Sequence, residues 1–168
     1  MSEGELLQIE KARKLDIDEE TYFRIISDKT ASLIAACMVS GAVSSNADTA
    51  TQAKVRLIGE QLGLAFQIRD DLFDYGSVDV GKPLGLDLQE KKMTLPLIVS
   101  LQRAEPTERK RIIKIVRKKR KRSGDITDVG HFVRKHGGLV YARSRMESYA
   151  ADAAESLSTF PPSEARDA

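Results

Sequence analysis

The segment that decides the fold reads QIRDDLFDY over residues 67–75, at the C-terminal end of a long helical pattern. Positions i, i+3, i+4 and i+7 of a helix share one face, and Gln67, Asp70, Asp71 and Asp74 have this spacing. Three carboxylates on one face repel one another unless a cation lies among them. Oxygen ligands without His or Cys suit a hard divalent ion, so the segment predicts Mg²⁺ bound together with a phosphate group. A solvated, acidic helix end is the alternative that the same residues allow.

A loop rich in glycine and lysine follows this acidic segment. It reads GKPLGLDLQEKKM over residues 81–93 and leads into TLPL at residues 94–97. Two glycines and a proline give such a loop a defined shape, and Lys82 and Lys92 are available to meet phosphate groups. The loop therefore favours a phosphate-binding site over a plain acidic helix end.

The order and spacing of these motifs resemble one protein family. DDxxD at residues 70–74, GKPxGxDxxxxK at 81–92 and TLPL at 94–97 are similar to the second aspartate-rich region of the trans-prenyl diphosphate synthases. The TLPL ending looks most like the long-chain, polyprenyl branch of octaprenyl type. Gly4-Glu5 with Gln8, Lys29-Thr30 and SEARDA at 163–168 match the family in the same order. The resemblance covers nearly the whole chain but only the second half of a typical member.

The composition is that of a globular helical protein. The 168 residues predict one domain, and 41% hydrophobic and 31% charged residues, with much Ala, Leu, Glu, Lys and Arg, favour an all-α fold. The single Cys37 excludes an internal disulfide and fits the reducing cytoplasm. The acidic N-terminus lacks the apolar core of a signal peptide, and no apolar run reaches the length of a membrane span.

Hydrophobic periodicity and capping residues predict the helices. The predicted ranges are 2–14, 19–43, 49–75, 94–101, one beginning near Glu105, 126–136, 139–157 and the start of another at Ser163. Residues 31–43 are apolar or small on nearly every side, which predicts a central, buried helix. Gly59 and Gly63 share one face of the helix 49–75, so they mark either close helix packing or simple tolerance.

A run of basic residues occupies positions 109–122, where ten of fourteen residues are Lys or Arg. A solvated helix face is the favoured interpretation, and a surface for anionic membranes stays open. No aromatic residue is interleaved with the cations, and the net charge is only +2, so a nucleic-acid partner is not expected. His131 and His136 lack the spacing of a zinc site.

The resemblance implies an all-α, antiparallel helical bundle of the isoprenoid synthase type, incomplete here, with the single helical domain 1–168 as its C-terminal portion. It implies Mg²⁺ held by Asp70, Asp71 and Asp74. Lys29, Lys82 and Lys92 would neutralise diphosphate, Gln67 and Thr30 would position the allylic unit, and Asp87 would orient the loop. On this reading Lys29 faces the same cavity as the aspartates, whereas a lysine at the start of an apolar helix is otherwise usually a surface residue.

The implied reaction is the condensation of isopentenyl diphosphate with an allylic prenyl diphosphate through Mg²⁺-assisted ionisation. Family members also carry a first aspartate-rich helix, which these 168 residues do not contain. We therefore expect a fragment that is inactive alone and that pairs with a second copy or with a chain supplying the missing half. The alternatives are a non-catalytic helical subunit or remnant that binds a partner or prenyl diphosphate, and a terpene cyclase, against which the lysine-rich loop argues.

Overall fold

The computed structural model describes residues 17–76 and 85–167. Within these ranges the chain is helical and contains no strand, so the predicted all-α class is confirmed. The predicted helix 2–14 and Lys82 lie outside the described residues. The helices are α1 (Glu19–Ile26), α2 (Ser32–Ser44), α3 (Thr49–Phe73), α4 (Leu86–Gln89), α5 (Leu95–Arg103), α6 (Pro106–Arg117), α7 (Ser123–Lys135), α8 (Gly138–Ser158) and α9 (Glu164–Asp167).

Carboxylate caps begin the first two long helical runs. The Asp18 side chain accepts from the backbone N–H of Thr21 at 2.8 Å, and that of Asp48 accepts from Thr51 at 2.7 Å. Each bond satisfies an N–H group that the first turn of a helix leaves without a partner. A π-helical turn, Ser27–Ala31, joins α1 to α2 without a break, so the predicted helix 19–43 exists but is not a uniform α-helix.

Helix α3 lies at the centre of the packing and contacts both α2 and α8 over long stretches. Its two glycines face the helix before it. A Cβ atom at Gly59 would lie 2.6 Å from the Cα of Ala35, and one at Gly63 would lie 2.4 Å from the Cα of Ala31. Both glycines therefore serve close helix packing, and the alternative of simple tolerance is excluded.

The prediction that residues 31–43 form a buried helix is wrong for the described part of the chain. Within α2 only Ala35 is buried, whereas Leu33 is 47% and Val43 52% exposed. One face of α2 packs on α3, and its remaining faces are apolar in sequence but open. The neighbouring surface of α3 exposes Leu62 and Phe66 as well. A helix that is apolar on all faces is expected to be buried, but its pattern does not identify the element that packs against it.

One helical run in the described residues could cross a membrane by length and composition alone. It is Glu19–Ser44, 26 residues long, with a mean hydropathy of 1.2 in its most apolar window. Core helices of soluble proteins pass the same test, and 22% of that window is buried here.

A second layer, made of α5, α6, α7 and α8, holds most of the hydrophobic core. Its largest fully buried side chains include Leu95, Leu97, Ile98, Ile112, Val116, Val129, Phe132 and Val133. Helix α7 begins at Ser123, three residues before the predicted start, because the Asp125 carboxylate accepts from the backbone N–H of Arg122 at 2.9 Å. This layer also presents the N-terminus of α5 to the end of α3, where the acidic segment lies.

Candidate active site

Most of the predicted site residues line one cavity. Its walls come from α1, the π-helical turn, α3, α4 and the start of α5. The predicted residues that line it are Lys29, Gln67, Asp70, Asp71, Asp87 and Lys92. The structure thus places Lys29 on the same cavity as the aspartates, as expected. Apolar side chains from α1, Ile25 and Ile26, complete the wall beside Met93.

Asp71 is the buried centre of this cavity. Its Oδ2 atom accepts from the hydroxyl of Tyr22 at 2.8 Å and from the backbone N–H of Leu95 at 3.2 Å. The Gln67 amide lies 3.4 Å from Oδ1, which leaves that oxygen the less engaged of the two. Burial raises the pKa of Asp71 to about 7, although the hydrogen bonds from Tyr22 and Leu95 favour its charged form. Three helices therefore meet at one carboxylate that is costly to ionise without a nearby cation.

Asp74 makes different contacts from Asp70 and Asp71. Helix α3 ends at Phe73, and Asp74 turns to the loop, where its Oδ1 accepts from the backbone N–H of Asp87 at 3.2 Å. Asp74 lines a neighbouring pocket with Tyr75 and Arg134 instead of the main cavity. Its burial raises the pKa of Asp74. In the described residues no group of three or more acidic, His or Cys side chains is placed to hold a metal ion.

The cations of the cavity come from two separate elements. Lys29 lies in the π-helical turn, and Lys92 follows α4. The Lys92 ammonium group contacts Asp87 Oδ1 at 2.8 Å and Glu90 Oε2 at 3.0 Å. Burial by itself would lower the pKa of Lys92. Hydrogen bonds to Asp87 and Glu90 have the larger combined effect and raise this pKa. Lys92 is therefore a fixed positive charge, and Asp87 holds it in place, which refines the predicted loop-orienting role of Asp87.

Thr30 contacts Gln67, which lines the cavity. Its hydroxyl donates to Gln67 Oε1 at 3.1 Å, which turns the Gln67 amide nitrogen toward Asp71. Thr30, Gln67 and Asp71 thus form a chain of polar contacts between the π-helical turn and α3. The arrangement fixes the orientation of Gln67 between a hydroxyl and a carboxylate.

Sequence reasoning missed Tyr22. The side chain is 4% exposed, and burial, followed by the negative charge of Asp71, raises the pKa of its hydroxyl well above the ordinary value. A signal was present, because Tyr22 precedes Lys29 by seven residues and therefore shares its helix face. A second missed pair is Tyr75 and Thr94, whose hydroxyls lie 2.8 Å apart beneath the cavity.

The donors of the cavity suit a metal–diphosphate pair better than a lone ion. Asp70, Asp71 and Asp87 supply oxygen only, and Lys29 and Lys92 flank them. Mg²⁺ in proteins commonly takes one or two carboxylates and completes its shell with substrate phosphates and water. The less engaged Oδ1 of Asp71 fits this use, whereas a closed cage of protein ligands does not exist in the described residues.

Comparison with known proteins decides the family. The model of the polyprenyl synthetase family matches residues 1–133, which is most of the chain. The chain belongs to the polyprenyl synthetase family. This confirms the resemblance to the trans-prenyl diphosphate synthases that the motifs at residues 70–97 indicate.

Relatives within the polyprenyl synthetase family agree with this assignment. The short chain isoprenyl diphosphate synthase of Methanothermobacter thermautotrophicus is 35% identical over 171 residues, covering 99% of this chain and 51% of that protein. The octaprenyl diphosphate synthase of Escherichia coli is 32% identical, covering 100% of this chain and 52% of that protein. The chain spans about half the length of the curated relatives it matches.

A solved structure of the family matches over almost the same extent. The polyprenyl synthase of Caulobacter crescentus, complexed with calcium and isoprenyl diphosphate, superposes with a TM-score of 0.90 at 34% identity. The match covers 99% of this chain and 51% of that one. Fold and family are thus established, whereas the role of each residue in the cavity is a separate question.

Proposed function

We propose that the chain contributes one wall of a prenyltransferase site, which condenses isopentenyl diphosphate with an allylic prenyl diphosphate. The observation that carries this proposal is the cavity that joins two adjacent carboxylates of α3, Asp70 and Asp71, to two lysines from other elements, Lys29 and Lys92. Such a mixture of acids and cations around a concave, partly apolar site suits a metal-bound diphosphate. We further infer that the single helical domain 1–168 is the C-terminal portion of the synthase fold.

Each polar residue has a role in this proposal. Asp70 and Asp71 would hold Mg²⁺, which when bound would neutralise charge on the departing diphosphate. Asp74, the third predicted ligand, accepts from the backbone N–H of Asp87 through Oδ1, and its role as a metal ligand stays a prediction. Lys82, predicted to meet the same diphosphate, remains a prediction because it lies outside the described residues.

The remaining side chains bind and orient the substrate. Lys29 and Lys92 would stabilise the negative charge that grows on the leaving group, in a site that is already organised around them. Gln67, held by Thr30, would face the allylic unit with its amide. Ile25, Ile26 and Met93 would exclude water from the reactive cation, which water would otherwise capture.

We expect the isolated chain to elongate prenyl diphosphates very slowly. The proposed chemistry depends on positioning and electrostatic stabilisation, and these residues include only one of the two aspartate-rich regions expected from the family. Loss of half the groups around the diphosphate should cost several orders of magnitude in rate. A non-catalytic role as a subunit that binds prenyl diphosphate is the second candidate, and it rests on the same cavity.

Titration calorimetry with Mg²⁺ and a non-hydrolysable diphosphate analogue tests the site. Binding of Mg²⁺ should be weak alone and stronger with the analogue, since the metal prefers mixed carboxylate and phosphate ligands. An Asp70→Ala, Asp71→Ala variant should lose this synergy, whereas Asp152→Ala, an exposed aspartate on α8, should keep it. Equal binding by all three proteins would refute the site. Incorporation of labelled isopentenyl diphosphate then separates a slow enzyme from a binding subunit.

A further inference from the structure

Charge is strongly segregated along this chain. Residues 109–122 contain ten of its 27 Lys and Arg and no acid, so the other residues carry 17 basic against 25 acidic side chains. A net charge of +2 therefore hides a concentrated positive segment on an otherwise acidic protein. Segregation of this kind creates a local potential that the net charge does not reveal.

Helix α6 directs its cations away from the protein. Ile112, Ile115 and Val116 are buried against the core. Lys110, Lys114 and Arg117 follow the spacing i, i+4 and i+7, which places them together on the opposite face, and all three are exposed. Like charges at i, i+4 destabilise a helix slightly, so this row costs stability in the isolated chain. An anionic surface would remove that repulsion.

The segment after α6 carries further cations, and hydrogen bonds hold its backbone in one conformation. The Gln89 side chain donates to the carbonyl of Lys121 at 2.9 Å and accepts from its backbone N–H at 3.2 Å. The Lys118 ammonium group lies 2.5 Å from Asp125 Oδ1. These bonds hold the backbone, while three further cations of the segment remain exposed: Lys119, Arg120 and Arg122.

Few carboxylates neutralise this region. Within residues 109–122, Arg111 pairs with Asp128 at 3.5 Å and Lys118 with Asp125. The other exposed cations have no carboxylate within ion-pair distance among residues 17–76 and 85–167. We define the basic surface as Lys110, Lys114, Arg117, Lys119, Arg120 and Arg122. Among the described residues these cations form no ion pair, and only Arg122 lies near a carboxylate, that of Asp125.

We propose that the basic surface docks the protein on membranes that contain anionic phospholipids. The exposed cations of α6 form a row, and the hydrogen-bonded segment after α6 extends it. Together they present positive charge to an extended surface, and each cation adds to the attraction. Nucleic acid is the less suitable partner, because no aromatic side chain stands among these residues to stack on bases. The proposal does not depend on prenyl transfer.

The basic surface is connected to the candidate site through α4. Gln89, which holds the backbone at Lys121, belongs to α4, and Asp87 on the same short helix lines the cavity.

Vesicle cosedimentation tests the proposal with the whole chain. Phosphatidylcholine vesicles with and without phosphatidylglycerol are compared in low-salt and high-salt buffer. The Lys110→Glu, Lys114→Glu, Arg117→Glu variant should bind anionic vesicles about a hundredfold more weakly, since each lost cation costs roughly a factor of five or more. The matched control changes three exposed arginines elsewhere to glutamate, Arg24, Arg56 and Arg143, and should retain most of the binding.

Each result of the vesicle experiment either supports or overturns the proposal. Binding that needs phosphatidylglycerol, falls at high salt and is lost in the first variant but not in the control supports the proposal. A second variant, Lys119→Gln, Arg120→Gln, Arg122→Gln, should weaken binding to a smaller extent. The proposal would be overturned if the first variant and the control bound equally well, or if neutral vesicles bound as well as anionic ones. A preference for a single-stranded oligonucleotide over vesicles would also overturn it. Circular dichroism confirms that each variant is folded.

Discussion

Gly63 offers a quantitative test of the packing at the centre of the fold. A Cβ atom at this position would lie 2.4 Å from the Cα and 2.9 Å from the Cβ of Ala31, whereas ordinary contact begins at 3.4 Å. The π-helical turn and α3 must therefore separate by about 1 Å to accept Gly63→Ala, because a packed interior leaves no slack. Such overpacking costs about 1–3 kcal/mol, and the better helix propensity of alanine returns about 1 kcal/mol.

The expected net loss is up to about 2 kcal/mol, which lowers the melting temperature of a chain of this size by up to about 8 °C. Gly41→Ala is the matched control, since a Cβ at Gly41 in α2 meets nothing within 4 Å. That variant should gain about 0.5–1 kcal/mol and melt higher. Thermal unfolding followed by circular dichroism measures both. A Gly63→Ala protein that gains as much stability as Gly41→Ala would refute the close approach, because the clash with Ala31 would then cost nothing.

Two further predictions concern Asp71 and the exposed apolar face. Because burial raises the pKa of Asp71 to about 7, this group favours the folded state at low pH and loses that contribution as the pH rises from about 4 to 7. In the presence of a chelator, the wild type should lose about 2.5 kcal/mol more than Asp71→Asn between pH 5 and 7.5 in urea unfolding, and parallel curves would contradict this. Phe66→Lys should reduce self-association measured by light scattering, because Phe66 is 50% exposed one turn from exposed Leu62. Val140→Lys, at a position that is 75% exposed and lies on α8, not on the helix of Phe66 and Leu62, should not reduce it, and equal effects would exclude the apolar face as the cause.

Local rules account for what could be predicted about the helices. Asp18 and Asp48 begin helical runs because a carboxylate before a helix satisfies an N–H group only a few residues away. The apolar periodicities likewise concern contacts within one or two turns. Errors of a few residues, as at the start of α7, arise where a cap such as Asp125 competes with the apolar pattern.

The candidate site was only partly predictable, for a related reason. Lys29, Gln67, Asp70, Asp71 and Lys92 were identified from motifs that resemble a family, and the structure brings them to one cavity. The spacing of Asp74 predicts a third ligand. In the structure its Oδ1 accepts from the backbone N–H of Asp87 and its side chain lines a neighbouring pocket, so that role stays a prediction.

The sequence by itself determined the helical class through its composition and local periodicity. It indicated the family and the acids and lysines of the candidate site through motifs that resemble those of the trans-prenyl diphosphate synthases. Only the tertiary structure decided that Tyr22 donates to Asp71, 49 residues away, and that Gly59 and Gly63 admit the backbone of the preceding helix. It also decided that, among residues 17–76 and 85–167, α2 packs mainly by the face that meets α3. Such contacts depend on which helix faces meet, and a pattern along one helix does not specify the partner that covers it.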